Sequence, residues 1–291
     1  VYVTNQLDDT VSVIDAATNK VVATVPAGTA PEGVAVAPDN RHVYIADNGS
    51  AKVSVLDTRT NKIVTTIPVG KSPSGVALSP DGRFLYVTNG GSNNVSVLDT
   101  RTNRVTASVP VGVSPVSVAV SPNGATAYVA NAGSGTVSVI DTRTHRVVRA
   151  MPAGQSPVGV AVSPDGGSVY VADEAGAAVS VVTTRTSTVA AIVPVGEGAF
   201  GVAVAPDGQT VYATALGPGA VAVIDTHSHH VSATVSVGTP GTDPFNVAVT
   251  PSAVYVTEQG VPTLTVIDPK THKVVASITV GNDAYGVAVS R

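Results

Sequence analysis

The sequence predicts an all-β chain folded as a seven-bladed β-propeller with four antiparallel strands per blade. Three observations predict it. A tyrosine-led segment recurs at Tyr2, Tyr44, Tyr86, Tyr128, Tyr170, Tyr212 and Tyr255, a spacing of 42 residues five times and then 43. Each unit holds four short β-like runs separated by turn chemistry, the content of one propeller blade. The apolar share of 43% comes mainly from Val, Ala and Ile, with 3 Phe, 8 Tyr and no Trp in 291 residues. Val and Ile are stiff at χ1 and suit a pleated, half-buried surface.

The elements follow in order within the unit that starts at Gly75. Run A, "GVALS", alternates branched and small residues, and "SPDGRF" places Pro and Asp-Gly for a tight turn. Run B is "LYVTN", the loop "GGSNN" leads to run C, "VSVLD", and the turn "DTRTNR" leads to run D, which ends at Pro110 and Gly112. Run A recurs at Gly33, Gly75, Ser117, Gly159, Gly201, Asn246 and Gly286, so blades are expected to start near 33, 75, 117, 159, 201, 246 and 286 in one domain spanning 1–291. The chain opens with runs B, C and D (1–28) and closes with a lone run A, "YGVAVSR". Pairing that last strand with the strand of Val3 completes the final blade and leaves no open inner edge. Run D stays an edge, blunted by Pro26, Pro68, Pro110, Pro152 and Pro194 and by flanking Lys and Arg.

The segments "YVTN" (Tyr2–Asn5 and 86–89), "SPDG" (79–82) and the "VSVIDT"-type runs resemble the YVTN-type β-propeller repeat family over essentially the whole chain. That family occurs in archaeal surface-layer proteins and in bacterial exported proteins similar to the periplasmic YncE type. The resemblance implies the propeller fold and an extracytoplasmic setting, secreted, periplasmic or at the cell surface. It does not imply an activity, because the motif marks a blade. Some members are reported to bind DNA, but here the net charge of −4 and the lack of a basic cluster give no footprint for nucleic acid or anionic lipid.

Other classes fall away on composition. No apolar run is long enough to cross a bilayer, so no membrane insertion is expected. Cysteine is absent, which excludes disulfides, thiolate metal sites and cysteine nucleophiles. No signal peptide is visible. The chain opens inside a repeat at "VYVTN", and a natural chain continuing upstream is expected. A monomer is expected.

Residues present in every blade are read as architecture. The Asp ending run C (Asp15, Asp57, Asp99, Asp141, Asp225 and Asp268) precedes a turn whose amides its carboxylate can accept. The tract "HSHH" (227–230) is the "DTRTHR" turn rewritten, with His145 and His272 in the slot of His229. No metal site is expected there, because neighbouring His on a hairpin seldom converge on one ion. His42, in the A–B turn of the same face, is read the same way.

The copies differ at the face where D–A and B–C loops meet. The residue before run A is Glu32, Ser74, Val116, Val158, Phe200, Phe245 and Tyr285 in blade order, and this position is expected to ring the channel mouth. Three aromatics fall on adjacent blades, with Glu32 next around the circle. The loop between Gly238 and Asn246 is three residues longer than its equivalents. The last letter of "YVTN" reads Asn5, Asp47, Asn89, Asn131, Asp173, Ala215 and Glu258. With Glu174, Glu197, Asp243 and Asp283, these carboxylates predict an acidic mouth lined on one side by aromatic faces.

Such a mouth suits a small cationic or amphipathic ligand, or an Arg- or Lys-bearing partner protein. The leading reading is a non-enzymatic binding module with Glu32, Ser74, Phe200, Phe245, Tyr285, Asp47, Asp173 and Glu258 as ligand-binding residues and no cofactor. The alternative is a propeller enzyme of the lyase, lactonase-like or amine-condensing type. Glu32 and Glu258 would then be its acid/base candidates, and oxygen ligands from Glu32, Asp47, Asp173 and Glu258 would hold a divalent metal. A third reading gives the aromatics no task beyond plugging the channel.

Overall fold

The computed structural model describes residues 1–237 and 242–290, and it is the predicted propeller. Blade I consists of strand A (Pro31–Val36), B (His42–Asp47), C (Lys52–Asp57) and D (Lys62–Pro68). Blades II to VI repeat this order at 73–110, 115–152, 157–194, 199–236 and 243–279. Blade VII takes B, C and D from Tyr2–Asn5, Thr10–Asp15 and Lys20–Pro26, and its A strand from Ala284–Ala288. Tyr2 pairs with Ala288 and Val3 with Val287, so both ends of the chain share one sheet, as expected.

The strand starts differ in one respect. Strand A begins two residues before the expected glycine, at Pro31, Pro73, Pro115 and Pro157. In blade I, Pro31 pairs with Asp47 and Val34 with Ile45, so Glu32 and Gly33 together oppose Ala46 alone. The A–B register shifts at the corresponding place in all seven blades. An extra residue of this kind bends the strand and re-aims its side chain. A second shift separates C from D, between Val55↔Thr65 and Leu56↔Ile63, and leaves Val64 bulged into solvent.

The core is divided as finely as the composition suggested. Buried side chains form seven clusters, each shared by two neighbouring blades. One packs Tyr44, Val53 and Ile67 of blade I against Leu85, Val87 and Leu98 of blade II. Another packs Tyr2, Val11 and Val25 of blade VII against Val43, Ile45 and Leu56 of blade I, closing the circle. No blade buries its apolar faces alone.

At the axis the fit is tighter still. A Cβ on Gly33 would stand 2.1 Å from the carbonyl oxygen of Ser74 in the next blade, one on Gly159 2.2 Å from that of Phe200, and one on Gly286 2.3 Å from that of Glu32. The threonine of "YVTN" bridges the same junction. Thr88 Oγ1 accepts from Gly75 N (2.7 Å) and donates to Val116 O (2.7 Å), and Thr4, Thr214 and Thr257 bond the carbonyls of Glu32, Phe245 and Tyr285. Asn246 holds the glycine slot in blade VI and donates from Nδ2 to Tyr285 O (3.1 Å).

Gly75→Ala is expected to lower the unfolding free energy by at least about 2 kcal/mol, and the denaturation midpoint with it, since both nearest atoms to its Cβ, Val116 O at 2.5 Å and Ser117 Cα at 2.8 Å, are backbone. Chemical denaturation monitored by tyrosine fluorescence measures it, and an unchanged midpoint would show that neighbouring A strands can part freely.

Candidate functional site

The A–B bulge carries the residue expected at the mouth, and the structure brings that series together. Phe200 and Phe245 stack with ring centroids 3.7 Å apart. Tyr285 tilts onto Phe245 at 4.5 Å and meets Phe200 edge-on at 6.4 Å. Val116 and Val158 continue the ring, and Ser74 and Glu32 complete it. Above them lies an open bowl of about 350 Å³, lined by the aromatics on one side and by Glu32, Asn48 and Ser74 on the other. Below them a narrower axial space of about 130 Å³ runs between the glycines and valines of the A strands.

Glu32 is the electrostatic centre of the bowl. It is 8% exposed, and its Oε1 accepts from Gln6 Nε2 at 3.0 Å. Burial raises its carboxyl above the ordinary glutamate range, while hydrogen bonding with Ser74, Tyr285, Asn48 and Gln6 pulls it partly back. Tyr285 is raised well above the usual phenol range, first by burial and then by the Glu32 carboxylate beside it. Among the described residues, no Lys, Arg or His lies within ion-pair distance of Glu32. The carboxylate is hydrogen-bonded but not neutralised.

The last-letter residues go elsewhere. Asp47, Asp173 and Glu258 were expected at the mouth, but they are buried within their blades and line neither the bowl nor the axial space. Each faces strand C of its own blade or the loop that enters it. Asp47 accepts from Ser54 Oγ (2.6 Å) and Gly28 N (3.2 Å). Asp173 accepts from the backbone N–H groups of Gln155 and Ser156, and Glu258 accepts from Thr265 Oγ1. Asn5 and Asn89 make the matching bonds to Ser12 and Ser96. The glycine two residues past strand D of the preceding blade lies against this side chain, and a Cβ on Gly28, Gly70, Gly112, Gly154 or Gly281 would come within 2.2–2.7 Å of it. The position is an inter-blade lock.

The suggested metal set of Glu32, Asp47, Asp173 and Glu258 is therefore not assembled, and Glu258 does not share a pocket with Glu32. The mouth is also less acidic than expected, because only Glu32 and Glu174 of the named carboxylates line the bowl. Glu197 is exposed on its loop, Asp243 is exposed at the first position of its strand, and Asp283 is half-buried with its carboxyl raised by burial. Residues 238–241 of the long D–A loop lie outside the described residues, and the rest of it enters strand A of blade VI at Asp243.

The residues that do face the bowl come one position later, just past the end of strand B. Gln6, Asn48 and Glu174 follow the last letter, and Asn48 and Glu174 line the bowl while Gln6 holds Glu32. At that step the chain leaves the buried strand for the B–C turn, which exchanges buried for more exposed positions.

A family model of YncE-like β-propellers matches residues 1–80 and 77–167. The chain belongs to the YncE-like β-propeller family. No curated protein matches it. Among solved structures it is similar to hydrazine synthase of Kuenenia stuttgartiensis, with TM-score 0.82 and 24% identity over 89% of each chain. It is also similar to a functionally unknown protein from Desulfotomaculum acetoxidans, with TM-score 0.82 and 18% identity over 99% of each. A third is the dihydro-heme d1 dehydrogenase NirN, with TM-score 0.72 and 16% identity over 98% of this chain and 74% of that one. At these identities the likeness shows the fold alone.

The lock of this YncE-like propeller carries its own pH signature. Burial raises the Asp47 carboxyl from 3.8 to about 6. The native state thus holds a proton that the unfolded chain has already lost, and stability falls as pH rises from about 4 through 6. Asp47→Asn supplies the side chain that blades II, III and VII use at this place. The variant is expected to be more stable at pH 8 by about 1–3 kcal/mol, the equivalent of that displacement, and to differ little at pH 4. Denaturation at the two pH values measures it, and equal stability of variant and parent at pH 8 would show that the Asp47 carboxylate is not strained.

Proposed function

We propose that this propeller is a non-enzymatic binding module that takes a small organic cation, an ammonium joined to an apolar body, at its channel mouth. The observation that carries this reading is the buried Glu32 carboxylate with no Lys, Arg or His of the described residues in ion-pair reach, set beside Tyr285 and Phe245. Taking a carboxylate out of water is costly unless a positive charge accompanies it. Burial raising the Glu32 carboxyl expresses that cost. Aromatic faces attract a cation and cover its apolar body. A bowl of about 350 Å³ matches the lower range of small-molecule sites. The extracytoplasmic setting rests on the resemblance of the repeats to those of exported proteins.

The enzymatic alternative keeps one supporting feature, the contact between the Glu32 carboxylate and the Tyr285 hydroxyl, both raised above their ordinary values. Displaced proton affinities of this kind recur at catalytic sites. Two of the structurally similar proteins carry enzyme names, but at their identities this does not extend to the present chain.

Titration calorimetry with phenethylammonium, tetramethylammonium and uncharged 2-phenylethanol tests the proposal. The two cations are expected to bind the parent and the alcohol not to. Glu32→Gln should weaken cation binding at least tenfold without lowering the thermal midpoint. Affinity should increase as pH rises and Glu32 loses its proton. Equal binding of alcohol and ammonium, or an unaltered affinity in the Gln variant, would overturn it.

A further inference from the structure

The opposite face holds cavities between neighbouring blades, and the repeat allows two of them to be compared directly. One lies between blades IV and V, has a volume of about 290 Å³, and is lined by Asp165, Ser168, Tyr170, Asp207 and Thr226 with no basic residue. The other lies three blades earlier, at the same positions less 126, between blades I and II. It measures about 450 Å³ and is lined by Asp39, His42, Tyr44, Asp81 and Thr100, with Arg83 and Arg101 added. A further space of about 480 Å³ shares His42 and adds Arg41, Thr58 and Arg59. Scaffold residues and Arg59 (Arg185) are common to both sectors, but the other cationic ones are not. Gly167, Ser168, Gln209 and His227 stand where blades I and II have Arg41, His42, Arg83 and Arg101.

Carboxylates are present here too, but each is turned back onto its own loop. Asp39 Oδ1 accepts from Arg41 N (2.9 Å), and Asp57 Oδ1 accepts from Arg59 N (3.0 Å) and Thr60 N (2.8 Å). Asp81 Oδ1 accepts from Arg83 N (3.0 Å) and Ser79 Oγ. These bonds use the backbone N–H of Arg41, Arg59 and Arg83, and all four arginines of the groove are exposed. Among the described residues the one ion pair is Arg83 Nε to Asp99 Oδ2, at a long 3.9 Å. Arg83 is also laid over the Phe84 ring, 5.0 Å from its centroid, which restrains its direction.

From this we infer a second ligand site, remote from the mouth, in which the groove between blades I and II binds a small phosphate-bearing molecule. Four guanidinium groups and one imidazole border two spaces joined at His42. All four long cations are Arg, whose planar fork matches phosphate oxygens two at a time, whereas Lys offers only a point charge. Two joined spaces suit a ligand with two anionic groups, one facing Arg41 and Arg59 and the other Arg83 and Arg101. This site is independent of what occupies the mouth.

Inorganic pyrophosphate is the probe, titrated calorimetrically into the full chain at low ionic strength. Saturable one-to-one binding is expected, weakened at least tenfold by Arg59→Gln and by Arg83→Gln. Arg185→Gln alters the equivalent of Arg59 three blades on and should bind like the parent. Arg41→Gln gives a second reading within the groove, since Arg83 also packs on Phe84, and thermal midpoints confirm that each variant is folded. Glu32→Gln should leave pyrophosphate binding intact, which separates this site from the mouth. Failure to saturate would overturn the inference. So would equal losses in Arg185→Gln and Arg59→Gln, which would reduce the effect to diffuse charge.

Discussion

The structure depends on one steric constraint, the approach of a neighbouring blade's carbonyl oxygen to the first glycine of the inner strand in five of the seven blades, with Ser117 and Asn246 in the other two. At the glycine junctions only a residue without a Cβ tolerates that distance, and the "YVTN" threonine bridges three of them and the Asn246 junction by hydrogen bonds to the same carbonyls. The carbonyl belongs to the same residue whose side chain rings the mouth. The backbone of Glu32, Val116, Phe245 or Tyr285 is thus tied into the ring, while its side chain is free to differ from blade to blade. A scaffold of this kind separates holding a position from what is displayed there.

That separation explains how a sevenfold frame carries a one-sided bowl. The aromatics occupy three adjacent blades and form one stacked group, which supplies an apolar wall. The polar wall begins at the next blade with Glu32 and passes through Ser74. Hydrogen-bond donors converge on the carboxylate from three different blades, so its geometry follows from ring closure and from no local segment. Burial without a counter-charge leaves Glu32 electrostatically incomplete, and this sets it apart from Asp47, whose partners are a serine hydroxyl and a glycine amide inside the frame.

The fold was legible because every blade obeys the same packing rule, and seven registered copies of one pattern leave little freedom. The mouth series was legible too, since Phe200, Phe245 and Tyr285 break the repeat at one fixed offset from run A. The error came at Asp47, Asp173 and Glu258. Variation between Asn, Asp and Glu resembled functional divergence, but each of these side chains satisfies polar groups at the same buried lock, and an amide and a carboxylate can both do so. The bowl-facing residues one step later, Gln6, Asn48 and Glu174, open the B–C turns, where the chain leaves the buried strand. Sequence could not show that the A strand starts at Pro31 with a bulge, because the extra residue is visible only against its partner's register.

The bulge between strands C and D has its own consequence for how the molecule meets others. An outermost strand that carries one surplus residue, twists there and ends on proline in blades I to IV and VII cannot offer the evenly spaced amide and carbonyl groups on which a foreign strand would zip. Valines such as Val22, Val64 and Val148 jut from the circumference as isolated knobs and make no continuous apolar stripe. Sideways growth into a larger sheet is thereby discouraged, and recognition is left to the two flat sides of the disc.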